Sequence, residues 1–238
     1  MKTYNEFIQH QLQTELDPRI PQVVDKLGLK EYAKEKGVKT PKTLATGRDV
    51  NEALSKLMFT PKSFVVKNNA DSGSTAIVKD GKYKQHEMNR AHKHVFEPYG
   101  LNKFEWFYGA INPTMFIEEY LADNITDYKF HCFNGKVMFC QYIFDRSTGD
   151  TKECVIMPDK EILDYHLDEN FKFSKDIEIP DNWEELLDVA RLLAADWKYV
   201  RVDLYSVKNE IYVGELTFSP RAGDYPGEGQ KKLGKYFI

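Results

Sequence analysis

The chain has 238 residues, 33 Lys and Arg against 37 Asp and Glu, a formal net charge of −4 and 42% hydrophobic residues. That length accommodates one compact unit or two small lobes with a real core, and the mildly acidic balance excludes a dedicated nucleic-acid binder, which carries a strong basic excess. No run approaches the roughly 20 apolar residues that span a bilayer, and Met1–Glu6 lacks the apolar core of a signal peptide, so a cytoplasmic chain is expected.

Residues 4–16 read as an amphipathic helix with Phe7, Ile8 and Leu12 near helical spacing, broken by Asp17-Pro18 and Pro21. This segment reads as an arm or docking helix. Asp25 to Lys36 is a second helix with Gly37 just past its end. Asp49 and Glu52 have capping-box spacing and open a helix to about Leu57. The β-rich run Ser63–Lys67 leads into the polar loop Asn68–Thr75, and Ala76–Lys79 resumes a strand, giving a β-hairpin with a polar tip. Residues 85–98 read as helical, and Met115–Leu121 as a strand.

Asp127–Phe133 and Lys136–Phe144 flank Asn134-Gly135, the strongest short-range hairpin signal. Strict alternation then puts Phe130, Cys132, Val137 and Phe139 on one apolar face, with Lys129 and His131 on the other. Asp181–Glu184 reads as a helix cap, followed by an apolar stripe of Leu186, Leu187, Ala190, Leu193, Ala194 and Trp197. Paired strands Tyr199–Tyr205 and Glu210–Thr217 close the pattern, which is α+β with mostly antiparallel strands.

Three clusters carry candidate chemistry. Lys67 with loop 68–75 offers a cation, backbone N–H groups and hydroxyls, which suits a phosphate or is ordinary turn chemistry. On Tyr199–Tyr205, Val200, Val202 and Leu204 face the core, while Arg201 and Asp203 share the other face. Alternation on the last strand aligns Ile211, Val213, Glu215 and Thr217. Asp203 and Glu215 then make either an oxygen-ligand site for Mg²⁺ or partners in a surface salt bridge with Arg201. Glu118 and Glu119 end an apolar strand, where charges commonly turn to solvent. Cys132, Cys140 and Cys154 have no CxxC spacing and read as small buried hydrophobes. His92 and His94 lie roughly 200° apart on a helix and cannot share a ligand. Phe104, Trp106, Phe107 and Tyr108 read as a hydrophobic cluster rather than a stacking platform.

The ordered set Asp25–Leu27, Val66–Gly73, Phe116–Leu121, Asp127–Gly135 and Val200–Thr217 through Leu233-Gly234, spanning about residues 25–237, resembles the ATP-grasp superfamily, and in detail its TupA-like branch, associated with teichuronopeptide biosynthesis. The resemblance implies an ATP-grasp fold, two α+β lobes with mostly antiparallel sheets clamping ATP. Residues 1–24 would be a helical arm and 25–238 the ATP-grasp unit. About 60–121 would form the smaller lobe and about 122–238 the larger lobe with the metal site. It implies ATP and Mg²⁺ as ligands. Lys67, Asn69, Ser72, Gly73, Ser74 and Lys129 would contact phosphates, and Arg201 with Lys129 the transferred group. Glu118 would accept from the adenine amino group within a hinge of Glu118, Glu119, Tyr120 and Leu121. Asp203 and Glu215 would hold Mg²⁺, with Thr217 where many relatives carry Asn. Relatives often carry a further N-terminal domain, so a truncated one is expected here, leaving acceptor recognition to the aromatic segment, the tail or another protein.

The implied activity is carboxylate–amine ligation through an acyl phosphate, turning ATP into ADP and phosphate in cell-surface polymer or peptide synthesis. Its partners would be a small-molecule or polymer carboxylate and an amine, with no nucleic acid and no membrane span. The rival readings are a kinase or glycosyltransferase-like polysaccharide enzyme, and a non-catalytic nucleotide-binding protein.

Overall fold

The computed structural model describes residues 3–97 and 99–237. In chain order the elements begin with α1 (Tyr4–Thr14), α2 (Ile20–Val24), α3 (Lys26–Glu35), β1 (Thr43–Gly47), α4 (Val50–Ser55) and β2 (Phe64–Asn68). They continue with β3 (Thr75–Val78), α5 (Gln85–Phe96), β4 (Met115–Glu119), β5 (Asp127–Phe133), β6 (Lys136–Phe144) and β7 (Lys152–Ile156). The last are β8 (Lys172–Phe173), α6 (Trp183–Ala194), β9 (Tyr199–Val207), β10 (Glu210–Thr217) and α7 (Gly229–Leu233). The chain divides into a smaller unit, Asp17–Tyr32 with Thr40–Leu121, and a larger one, Met1–Leu16 with Ala33–Lys39 and Ala122–Ile238.

In the smaller unit four strands run in the order β1-β4-β2-β3, all antiparallel neighbours. One face is dry: Phe64, Val66, Ala76, Val78, Met115 and Ile117 pack against Ala53 of α4 and Met88 and Ala91 of α5. The expected β2–β3 hairpin forms, with Lys67 opposite Thr75. Asp49 caps α4 by accepting from the Glu52 N–H at 2.9 Å. The Pro18 and Pro21 break contains α2, a helix missed in the sequence because Pro21 falls in its first turn, where no N–H is needed.

In the larger unit six strands run β10-β9-β5-β6-β7-β8, parallel only at β7–β8. The β5–β6 turn is as expected, with Asn134 (φ 50) and Gly135 (φ 72) both left-handed. Strands β7 and β8 escaped the sequence reading. The α6 stripe packs on one sheet face, with Trp183 5.5 Å from the Phe130 ring and Val200, Val202 and Leu204 beneath. Its N-cap residue Asn182 makes no cap bond and instead donates to Ser206 Oγ at 3.0 Å.

The opposite face is covered by α1 and the C-terminal segment. Tyr4, Phe7 and Ile8 join Phe139, Tyr199, Tyr225, Leu233 and Phe237 in one buried cluster. The residues read as an arm are therefore shared, with α1 in the larger unit's core and α2 in the smaller unit.

Two β-bulges correct the expected alternation. One interrupts β5–β6 between His131 and Cys132. It puts Phe139 opposite His131, on the polar face, with the two rings stacked at 4.4 Å. The other interrupts β10 between Val213 and Glu215. Val213 pairs with Leu204 on the α6 side, whereas Glu215 pairs with Asp203 and Thr217 with Arg201 on the other. An extra residue flips everything beyond it. Val213 and Glu215 thus do not share a face as alternation had it.

Candidate functional site

In the smaller unit Lys67 and Glu118 lie on the sheet face away from α4 and α5, on neighbouring strands β2 and β4. The Glu118 carboxylate takes one lysine on each oxygen: Lys30 on Oε1 and Lys67 on Oε2, both at 2.6 Å. All three side chains are nearly buried. Burial pushes the Glu118 carboxyl up, but the two ammonium groups outweigh it and hold the group below the ordinary range. Burial likewise lowers Lys30, whose ammonium also lies 5.7 Å from the centre of the Phe116 ring. Glu118, expected to accept from an adenine, here accepts from Lys30 and Lys67.

Loop 68–75 is organised from below by α3. Lys26 donates to the Asp71 carbonyl and lies 3.4 Å from its carboxylate. Desolvation raises the Asp71 carboxyl, with Lys26 and Ser74 acting against it. Asn69 is buried; its amide donates to Asp25 at 2.9 Å and to the Asn112 carbonyl at 3.3 Å, and accepts from the Thr114 N–H at 2.7 Å. These bonds fix the loop base, so Asn69 is committed to structure. Gly73 (φ 77) is exposed at the tip, with open space where a Cβ would stand. In the expected hinge, β4 ends at Glu119, which accepts from the Lys42 N–H at 2.6 Å, and Tyr120 and Leu121 follow the strand.

In the larger unit the register aligns Lys129 with Asp203, His131 with Arg201, and Asp203 with Glu215. Arg201 grips Asp203 in a fork, Nε to Oδ1 at 2.6 Å and Nη2 to Oδ2 at 2.8 Å. The same Nη2 lies 3.4 Å from Glu215 and 3.1 Å from the Thr217 hydroxyl. Lys129 also bonds Asp203. Burial raises the Asp203 carboxyl, and Arg201 with Lys129 more than reverse that, so it is held down. Beside this group His131 is fully buried, its Nδ1 2.7 Å from the Tyr4 hydroxyl and 3.1 Å from that of Tyr199. Burial, reinforced by Arg201, keeps it neutral.

The structure thus gathers Arg201, Lys129, Asp203, Glu215 and Thr217 on one face of the larger unit, and Lys67 with Glu118 in the smaller. The sequence reading missed Lys30 and Lys26. Their signal was the four-residue spacing that puts both on one side of α3. The donor set Asp203, Glu215 and Thr217 is all hard oxygen. Among the described residues no group of three or more His, Cys, Asp or Glu converges. Two carboxylates fit Mg²⁺, which keeps waters and borrows phosphate oxygens rather than demanding a full protein cage.

A model of the family described as TupA-like ATPgrasp matches residues 6–238. D-alanine-D-alanine ligase from Helicobacter pylori is similar at TM-score 0.51 and 21% identity, covering 90% of this chain and 60% of that one. D-alanine–D-alanine ligase from Bacillus anthracis, in a complex with ATP, gives TM-score 0.46 and 19% identity, covering 91% of this chain and 64% of that one. The chain thus spans 60 to 64% of the length of these two ligases. The likeness to the Helicobacter structure shows the expected α+β fold. No curated protein matches.

Proposed function

Because this chain belongs to the TupA-like ATP-grasp family, we propose that it is an ATP- and Mg²⁺-dependent ligase joining a carboxylate to an amine. The substrates we assign are small-molecule or polymer ones of cell-surface polymer or peptide synthesis. The observation that carries this reading is the quartet of Lys129, Arg201, Asp203 and Glu215, in which Arg201 and Asp203 are buried and Lys129 and Glu215 half-buried beside them. Taking the Arg201 and Asp203 charges out of water costs several kcal/mol per ion before pairing offsets it, and a sheet packed for stability alone has no need of them. A bulge is also required to bring Glu215 to Asp203.

The chemistry asks for a place where anions collect. A carboxylate oxygen attacks the γ-phosphorus of ATP and ADP leaves. The amine nitrogen then attacks the acyl carbon, the bond to phosphate breaks, and the amine sheds a proton. Lys67 with Ser72, Gly73 and Ser74 is assigned to the phosphates, and Glu118 sets the Lys67 ammonium in position. The backbone of Tyr120 and Leu121 is assigned to the adenine edge. Asp203 and Glu215 would hold Mg²⁺, which supplies charge neutralisation between phosphate oxygens, with Thr217 beside them. Lys129 and Arg201 balance Asp203 and Glu215 to a formal charge of zero, so a bound divalent ion leaves the quartet positive toward the transferring phosphoryl group.

The test is calorimetric titration with ATP, with Mg²⁺ and with chelator, followed by ADP release across pooled amino acids and sugar acids. Asp203→Asn and Lys67→Ala should each lower turnover about 10²–10³-fold with unchanged circular dichroism. Wild-type-like turnover in either variant overturns the assignment. Thr217, already held by Arg201, favours a second reading in which nucleotide binds without turnover. Mg²⁺-dependent binding with no ADP release from any pool would support it.

A further inference from the structure

Just beyond Thr217 the chain turns through Arg221 (φ 52), Ala222 (φ 52) and Gly223 (φ 71), three successive left-handed residues of which only the last is a glycine. Residues that carry a Cβ resist this conformation, and it persists where the surroundings impose it. Helix α1 imposes it here. Asn5 clamps the Tyr225 backbone at two points, its amide donating to the carbonyl at 2.9 Å and its Oδ1 accepting from the N–H at 3.1 Å. Gln9, four residues on and so on the same helix face, donates to the Gly223 carbonyl at 2.9 Å. The fit is close, since a Cβ on Gly223 would stand 2.8 Å from the Asn5 carbonyl oxygen.

The clamp ends at Arg201. Tyr225 is buried, its ring 5.7 Å from that of Tyr4, and its hydroxyl faces the Arg201 guanidinium. Burial raises the phenol, and the charge and hydrogen bonding of Arg201 act the other way. The remaining neighbours of Arg201 hang on α1 as well. Tyr199 precedes it by two residues on the same face of β9, and His131 lies opposite it in register. The Tyr4 hydroxyl reaches both, 2.6 Å from the Tyr199 hydroxyl and 2.7 Å from His131 Nδ1. Phe7 and Ile8 already bury the helix, so packing does not require this polar set, whose members surround one arginine. We propose that α1 is a positioning element of the site. Asn5 and Gln9 through Tyr225, and Tyr4 through Tyr199 and His131, hold the Arg201 guanidinium on its aim at the transferred phosphoryl group. This role rests on the assignment of Arg201 to that group. The segment read from sequence as an arm or docking helix docks within its own chain.

The experiment compares the full-length variants Asn5→Ala, Tyr4→Phe and Tyr225→Phe with Ile8→Val, which trims the packing of the same helix and touches no polar contact. In ADP release with an acceptor pool that supports wild-type turnover, the first three should lose kcat by about tenfold or more, with KM for ATP within about twofold, because a misaimed group is felt in the transition state. Ile8→Val should lower Tm and keep wild-type kcat. A second readout needs no turnover. Solvent exchange of the Arg201 Nε proton, which is bonded to Asp203, is followed by heteronuclear NMR and assigned by its absence from Arg201→Lys. It should speed up about tenfold or more in the three variants, as the fork opens more often, and stay unchanged in Ile8→Val. Unchanged exchange in all three overturns the proposal, as does unchanged kcat, or an Ile8→Val loss of kcat as large as that of Tyr225→Phe. No ADP release by wild type from any pool would end the ligase reading instead, and the exchange rates alone would then decide whether α1 positions Arg201.

Discussion

Glu153 on β7 has no solvent exposure, and its carboxylate accepts from Gln141 Nε2 at 2.7 Å and from the N–H groups of Leu167 and Asp168 at 2.6 and 3.0 Å. Those donors do not compensate for burial, which, with Asp168 nearby, pushes its pKa up to about 7 from 4.5. A raised acid pKa means the fold prefers the protonated form. The stabilising contribution is therefore full below about pH 4.5 and lost as pH rises through about 7, an amplitude of about 3 kcal/mol. Glu153→Gln keeps an acceptor for both N–H groups, and a rotated Gln141 amide can turn its oxygen to the new NH₂. The variant should gain stability over wild type between pH 5 and 8, read as the difference of two urea-denaturation series. A constant difference across that range would refute the titration of Glu153 in this window.

At the scale of elements, Gly214 governs where the β10 acids point. A Cβ there would stand 2.4 Å from the Tyr205 hydroxyl, so Gly214→Ala must displace that ring, at about 1–2 kcal/mol. A double-mutant cycle with Tyr205→Ala should show a coupling of about 1 kcal/mol in the relieving direction, and strict additivity would show the contact to be unimportant. The bulge also marks the limit of what the sequence discloses. The Asn134-Gly135 turn was legible because both its conformations are local preferences of those residues. The α6 stripe was legible because its period repeats. The bulges were not, since an extra residue exists only relative to the partner strand, and alternation counted along one strand carries no trace of it. Asn182 looked like a cap for a similar reason: its competing partner, Ser206, lies on β9, distant in sequence. The acids and Lys129 could be named from sequence, whereas the lysines of α3 depended on a tertiary contact with Glu118 and Asp71.

On the scale of the whole chain, the larger unit is assembled from three stretches, 1–16, 33–39 and 122–238, so the backbone passes from one unit to the other four times. Its core cannot form from residues 122–238 alone. Tyr4 bonds Tyr199 at 2.6 Å, and the Phe7 ring stacks on Phe237 at 4.7 Å. Phe7→Ala should therefore cost about 3–5 kcal/mol and lower Tm by roughly 10 °C or more. Trp183 and Trp197 belong to the larger unit and Trp106 to the smaller. Tryptophan fluorescence in a Trp106→Phe background thus reports the larger unit alone, and an unchanged midpoint there would remove α1 from its core. The extra residue at position 214 has a practical consequence for anyone who transplants the β9–β10 ribbon into a designed scaffold. Copying every amino acid onto a regular ladder, with no bulge to absorb the additional one, would swing the Glu215 carboxylate under α6, among Trp183 and its leucines, where an unpaired negative charge finds no answer.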